Sequence, residues 1–173
     1  MIVYSPTFVA WDTVQSFFDR AVRVALNATC LRSKCGAIIF APDKNYIAVG
    51  CNSPPNNIAP VQCLKETLPI EFKSDKTCCM HAEQRAVMNA LRSGSDLMGS
   101  RLYFVRLNKQ NKLEPSGMPY CTICSKLALD VGIAEWCLVH HADVWGKEGA
   151  YVYDARSYNA ISFGRSAEII RVQ

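Results

Sequence analysis

Two short motifs, well separated along the chain, constrain its folding more than any other feature: His81-Ala82-Glu83 and Cys121-Thr122-Ile123-Cys124. A histidine and a C-x-x-C pair are metal ligands, and a set of three leaves a fourth position open for water, as catalytic sites do and structural sites do not. The fold must then bring residue 81 within a few ångströms of residues 121 and 124, with the Glu83 carboxylate beside them and free of ligation. In a shuffled chain with nine cysteines, a C-x-x-C arises by accident about 0.5 times and an H-x-E about 0.1 times. Neither motif is sufficient alone, so the surrounding sequence has to decide.

Those surroundings alternate helix and strand. After Ser5-Pro6, the apolar residues Phe8, Trp11, Val14, Phe18, Ala21, Val22, Ala25 and Leu26 recur at three- and four-residue steps and predict an amphipathic helix. Cys35 to Phe40 and Tyr46 to Cys51, joined by Ala41-Pro42-Asp43-Lys44-Asn45, read as a β-hairpin. Residues 81–93 carry helix formers and stop at Gly94, and Arg101 to Leu107 reads as a strand. Residues 108–118 read as a loop, Cys121 to Asp130 as a short helix stopped by Val131-Gly132, and Ala134 to His140 as another strand. The last thirty residues are expected to add a short strand and a helix to the same single domain, which spans 1–173.

Both halves of the metal motif thus fall at the start of helices. Cys121 and Cys124 are three residues apart, so on a first helical turn they share one face and can grip one ion. Backbone N–H groups and the positive end of the helix dipole favour their thiolate forms there. Two thiolates and a neutral imidazole leave a bound Zn²⁺ formally uncharged and still able to acidify a water. The competing readings are a structural zinc or buried reduced thiols for His81, Cys121 and Cys124, and a dipole-stabilised first-turn carboxylate for Glu83.

H-x-E followed by P-C-x-x-C is the established pattern of zinc nucleobase deaminases, and the chain resembles the cytidine and deoxycytidylate deaminase superfamily beyond these residues. Ser33-Lys34-Cys35-Gly36-Ala37-Ile38-Ile39 resembles the family's first strand, and Ile47-Ala48-Val49-Gly50-Cys51-Asn52 its second, with a G-x-N ending. Arg101-Leu102-Tyr103-Phe104-Val105 and Asp130-Val131-Gly132-Ile133-Ala134-Glu135 are similar to the segments flanking the second metal motif. Among subfamilies, Val61-Gln62-Cys63 and Cys78-Cys79-Met80-His81-Ala82-Glu83 resemble the cysteine-containing insertion of deoxycytidylate deaminase.

The resemblance implies an α/β fold: a three-layer α/β/α sandwich around a central mixed five-stranded sheet. The two metal-bearing helices pack on one face, and the first helix and others cover the opposite face. It implies hydrolytic deamination: zinc-activated hydroxide attacks the amine-bearing ring carbon, and Glu83 shuttles protons. It further implies zinc on His81, Cys121 and Cys124, substrate hydrogen-bonded by Asn52, a nucleotide or nucleoside substrate with dCMP favoured, and homo-oligomeric assembly. Without the family, Asn52 reads as an ordinary turn residue before Ser53-Pro54-Pro55. A nucleic-acid deaminase and a non-enzymatic zinc-stapled interaction domain remain the alternatives.

The chain departs from the family pattern in three places. Pro119-Tyr120-Cys121 inserts a tyrosine before the first cysteine, Ser53-Pro54-Pro55 stiffens the turn after Asn52, and residues 141–173 match no family motif. The long segment 52–77 holds Cys63 and runs into Cys78 and Cys79; it reads as an insertion loop carrying either reduced thiols or a second, structural zinc. Tyr151, Tyr153 and Tyr158 either dock the C-terminal end onto the core or stack a base.

Composition sets the outer limits. A chain of 173 residues, 50% hydrophobic and 20% charged, fits about one globular domain. It has no apolar run of the ~18 residues that span a bilayer and no basic-then-apolar leader pattern, and its odd number of cysteines suits a reducing cytoplasm. The net charge of +4 is too small for a nucleic-acid footprint, although Arg101, Arg106, Lys109 and Lys112 could steer a phosphorylated substrate.

Overall fold

The structure is a computed structural model that describes residues 5–69 and 79–164. Its elements run in the order β1 (Thr7–Val9), α1 (Trp11–Leu26), β2 (Lys34–Phe40), β3 (Tyr46–Cys51), α2 (Ala82–Arg92), β4 (Arg101–Leu107), β5 (Leu113–Glu114), α3 (Thr122–Asp130), β6 (Glu135–His140), α4 (Ala142–Trp145), β7 (Gly149–Asp154) and α5 (Ala155–Ser162). Two short 3₁₀ turns, Pro55–Asn57 and Leu64–Thr67, lie between β3 and α2.

The strands form one mixed sheet in the order β1-β7-β6-β4-β2-β3, with β5 paired to β4. Within it β4 and β6 are parallel and the other pairs antiparallel. The five expected strands are all present, and two more bring the sheet to seven. Thr7–Val9 takes its backbone partners from Val152, Tyr151 and Ala150 at the far end of the chain. Nothing in its local pattern separates it from the apolar periodicity of α1, so Phe8 lies in a strand and the helix begins at Trp11. The other addition, Leu113–Glu114, is a two-residue hairpin return onto Leu107 and Arg106 within the expected loop.

Side chains alternate across the sheet with the two-residue period of a pleated strand. Ile38, Phe40, Tyr103, Val105, Cys137, Val139, Ala150 and Val152 face one way and pack with Val14, Phe18, Ala21 and Ala25 of α1. Ala37, Ile39, Leu102, Trp136, Leu138, Tyr151 and Tyr153 face the other way and pack with α2, α3 and α5. Both faces are covered, which is why β2 and β6 read as nearly continuous apolar runs rather than alternating ones. The layering is three-deep as expected, with one difference: the C-terminal helix α5 joins α2 and α3, leaving α1 on the opposite face.

Close approach of helix to sheet depends on two glycines. A Cβ on Gly36 would sit 2.5 Å from the Ala21 carbonyl oxygen of α1, and a Cβ on Gly50 would collide with the Ala82 carbonyl and Ala86 amide of α2. Their lack of side chains lets two helices seat directly on adjacent strands. The second contact fixes how deeply the His81–Glu83 turn sits against the sheet.

Candidate metal centre and substrate cavity

His81 and Cys121 are the N-cap residues of α2 and α3. The backbone N–H of His81 donates to the Gln84 side chain at 3.1 Å, closing half of a capping box, and the Cys124 amide donates to Cys121 Sγ at 3.4 Å. The expected helix starts are therefore each shifted by one residue, with the ligand at the cap. An isolated bridge between Ser53 and Met80 ties the segment before α2 to the end of β3. Arg85 strengthens that tie by donating from Nη2 to the carbonyls of Ser53 and Pro54 at 3.2 and 3.1 Å.

The two helix starts converge. His81 Nδ1 lies 3.2 Å from Cys124 Sγ and 3.3 Å from Cys121 Sγ, and the three donor atoms all fall within 4.8 Å of one another. With Zn–N of roughly 2.0–2.1 Å and Zn–S of roughly 2.3 Å, tetrahedral geometry needs N···S separations of about 3.5 Å, so an ion fits after an outward adjustment of a few tenths of an ångström. The imidazole presents Nδ1 to both sulfurs. Among the described residues this is the one His/Cys/Asp/Glu group able to hold a metal ion.

Electrostatics at the cluster favour a ligating set. The Cys121 thiol is pulled down to about 4, chiefly by the hydrogen bond with Cys124 and further by His81, against the opposing effect of burial. Cys124 is pushed upward by the same shared bond and by burial. His81 is raised, first by its hydrogen bond with Cys121. Glu83, on the first turn of α2 and only 7% exposed, is raised by burial, with His81 partly offsetting the shift. Burial thus makes Glu83 a stronger proton acceptor than an ordinary surface carboxylate, beside a cluster able to hold a metal ion.

A cavity of about 610 Å³ opens onto this cluster and is lined by His81, Glu83 and Cys121. Asn52 is on its wall, 7% exposed, with its amide already engaged: Nδ2 donates to the Ser33 carbonyl at 2.8 Å, and Oδ1 accepts from the Cys35 N–H at 2.7 Å. One donor and one acceptor site remain on that amide. Phe104 and Leu138 supply apolar wall, and Arg32, Lys65 and Arg106 place three cations around the same space.

Of the four basic residues singled out in sequence, Arg106 alone lines the cavity; Arg101 forms an ion pair with Glu135 at 2.6 Å. Arg32 and Lys65 were missed because they sit in irregular segments with no periodic context. Tyr120, the inserted residue, stands 77% exposed at the cavity, while Pro119 beside it is buried. Tyr151, Tyr153 and Tyr158 are buried and dock the C-terminal segment onto the core; Tyr158 stacks on Trp136 with ring centroids 4.0 Å apart and also lines the cavity. Of the cysteines weighed for a second metal, Cys63 and Cys79 line the cavity and Cys78 lies outside the described residues.

α5 is also fastened to the helix that carries the cysteines. Asn159 Nδ2 donates to Ser125 Oγ at 2.9 Å, and Ser125 and Ser162 share a hydroxyl contact of 2.9 Å. No helix among the described residues is long and apolar enough to cross a membrane.

Comparison with known proteins agrees with the geometry. Residues 12–140 match the family described as the cytidine and deoxycytidylate deaminase zinc-binding region. No curated protein sequence matches significantly. Among solved structures, the chain is similar to a cytidine deaminase from Burkholderia pseudomallei, with 18% identity, 83% of this chain and 94% of that chain covered, and a TM-score of 0.54. It is also similar to a dCMP deaminase from the cyanophage S-TIM5, crystallised with dCMP and dUMP, with 22% identity, 72% and 79% coverage and a TM-score of 0.51. At such identities these two establish the fold. The family match spans most of the sequence and runs through His81, Glu83, Cys121 and Cys124, and on that ground the chain belongs to the zinc-dependent cytidine and deoxycytidylate deaminases.

Proposed function

We propose that the protein deaminates a phosphorylated cytosine nucleoside, with dCMP converted to dUMP and ammonia. The observation that carries this reading is the charge of the cavity: Arg32, Lys65 and Arg106 line the space that also holds His81 and Glu83. An uncharged nucleoside gives three cations nothing to neutralise, whereas a phosphate does. The apolar wall of Phe104 and Leu138 suits a flat pyrimidine between the two ends.

His81, Cys121 and Cys124 are the residues that would hold zinc, which when bound supplies the Lewis acidity that lets a water lose its proton near neutral pH. Glu83 accepts that proton and passes it to the ring nitrogen N3 as the oxygen bonds to C4. The C4 centre becomes tetrahedral. Glu83 then moves the second proton from the added oxygen to the amino group, the C4–N bond breaks, and ammonia leaves a carbonyl behind. Burial shields Glu83 from bulk water and raises its proton affinity above that of an ordinary carboxylate, which suits a group that carries protons. Asn52, with one donor and one acceptor unspent, holds the substrate against the wall. The reading carries with it a reducing cytoplasmic setting, in which the cysteine ligands stay available, and a homo-oligomeric assembly.

The test is ammonia release over dCMP, CMP, deoxycytidine, cytidine, adenosine and a tRNA anticodon stem, with Arg106→Ala beside the wild type. The expected outcome is a preference for dCMP over deoxycytidine that shrinks by about tenfold or more in Arg106→Ala, the scale of one lost charge-assisted contact. Equal turnover of nucleotide and nucleoside by the wild type would refute the phosphate reading. Turnover confined to the anticodon stem would replace it with a nucleic-acid deaminase.

A further inference from the structure

A chain of hydrogen bonds, buried at its centre, links the C-terminal segment to the cavity wall. Trp145 Nε1 donates to the Tyr153 hydroxyl oxygen at 2.7 Å, the Tyr153 hydroxyl donates to His140 Nε2 at 2.7 Å, and His140 Nδ1 donates to the Ser116 carbonyl at 2.8 Å. With the imidazole neutral, only one arrangement of protons serves all three contacts. The carbonyl can only accept, so Nδ1 carries the imidazole hydrogen and Nε2 must accept; the tyrosine hydrogen then points to the histidine, and its oxygen receives the indole N–H. His140 is fully buried and Tyr153 nearly so, and burial holds the imidazole in its neutral form.

The residue at the end of this relay matters for the site. Ser116, Gly117 and Met118 all line the cavity, and they lead through Pro119 and Tyr120 directly into Cys121. Ser116 is held on its other side by its own N–H, which donates to the Val139 carbonyl at 2.6 Å, so this stretch of wall hangs from the last two residues of β6 by two bonds. The family match ends at His140, and Trp145 and Tyr153 lie beyond it, in the segment whose role the sequence leaves open.

We propose that Tyr153 and Trp145 are positioning residues for substrate: acting through His140, they fix the Ser116–Met118 wall and so set how tightly the substrate is held. This rests on the cavity being the substrate site. Neither residue touches the reacting atoms. Loosening the wall therefore weakens binding in the ground state and the transition state alike, which raises KM and leaves kcat unchanged. Removing the Tyr153 hydroxyl strands the buried His140 Nε2 and the half-buried indole N–H together, so the relay fails as a unit.

The test pairs steady-state kinetics with hydrogen exchange on zinc-loaded protein, using Tyr153→Phe and, as a milder lesion, Trp145→Phe. Tyr153→Phe is expected to raise KM for dCMP by about threefold to thirtyfold with kcat within twofold, the scale of one or two lost buried hydrogen bonds. Amide exchange in residues 115–118 should accelerate in the same variant, with zinc content unchanged; Trp145→Phe should move both in the same direction by less. An unchanged KM in a folded variant overturns the proposal, whatever happens to thermal stability. A raised KM with unaltered exchange at 115–118 overturns it too, since the wall would not be the route. A wild type inactive on every nucleotide and nucleoside would refute the proposed function alone, and the exchange measurement would still decide whether the relay holds the wall.

Discussion

Replacing Asn52 by alanine separates two roles that coincide in one side chain. In the structure its amide bridges the start of β2 to the end of β3, accepting from the Cys35 N–H at 2.7 Å and donating to the Ser33 carbonyl at 2.8 Å. The two partners differ in what happens when the amide is removed. Cys35 is buried, so its N–H is left without a protein partner, at a cost of about 1–3 kcal/mol. Ser33 is only half-buried and its carbonyl can recruit water, so that loss is about 0.5–1.5 kcal/mol. The neighbouring backbone bond from Asn52 N–H to the Cys35 carbonyl, 3.2 Å, survives the change. The expected destabilisation is roughly 2–4 kcal/mol in total.

Urea denaturation of zinc-saturated wild type and Asn52→Ala, followed by far-UV circular dichroism, measures this directly. The midpoint should fall while the slope stays constant, since the surface exposed on unfolding barely changes. A loss below about 0.5 kcal/mol would refute the assigned hydrogen bonds, because no buried N–H can be orphaned that cheaply. Kinetics on the folded fraction then address the second role. A raised KM beyond the loss of folded protein supports a direct contact with substrate, and an unchanged KM limits Asn52 to holding the strands together.

Three further outcomes are expected. Glu83→Gln should lower kcat by about 10²–10⁴-fold, the usual worth of a positioned proton carrier, while zinc content and the circular dichroism spectrum stay as in the wild type; near-normal turnover would remove Glu83 from the mechanism. Stripping the metal with a chelator should abolish ammonia release and lower the melting temperature, and adding zinc back at one equivalent per chain should restore both, whereas Cys121→Ser should resist restoration. His140 is held below its ordinary pKa by burial, so as pH falls below about 6.5 the unfolded chain binds a proton that the native state refuses, and stability drops. The rings of Tyr151 and Tyr153 are the neighbours that face His140, so His140→Gln should flatten that part of the stability–pH curve; parallel curves for the two proteins would refute the assignment.

The metal cluster was legible because its chemistry depends on residue types at fixed short spacings. A three-residue spacing at one helix start places the two thiols of Cys121 and Cys124 on one turn, whatever the rest of the chain does. The strands β2 and β6 were legible for a related reason, since burial on both faces demands nearly continuous apolar sequence. Thr7–Val9 was not legible, because a three-residue edge strand is defined by hydrogen bonds to Ala150–Val152 and carries no periodicity of its own. Arg106 was named for the wrong company: the strand register turns Arg101 toward Glu135 at one end of β4 and Arg106 toward the cavity at the other.

What the sequence determined by itself was the donor set and the element order, both local properties of spacing and periodicity. What only the tertiary structure decided was the company each group keeps: that His81 offers Nδ1 to both sulfurs, that Asn52 is half spent on backbone, that Arg32 and Lys65 join Arg106 at the cavity, and that Trp145, Tyr153 and His140 line up behind Ser116. Each of these depends on directional contacts between residues far apart in the chain. Hydrogen-bond direction and burial are set by the packing of whole helices on a sheet, and no window of sequence contains that information.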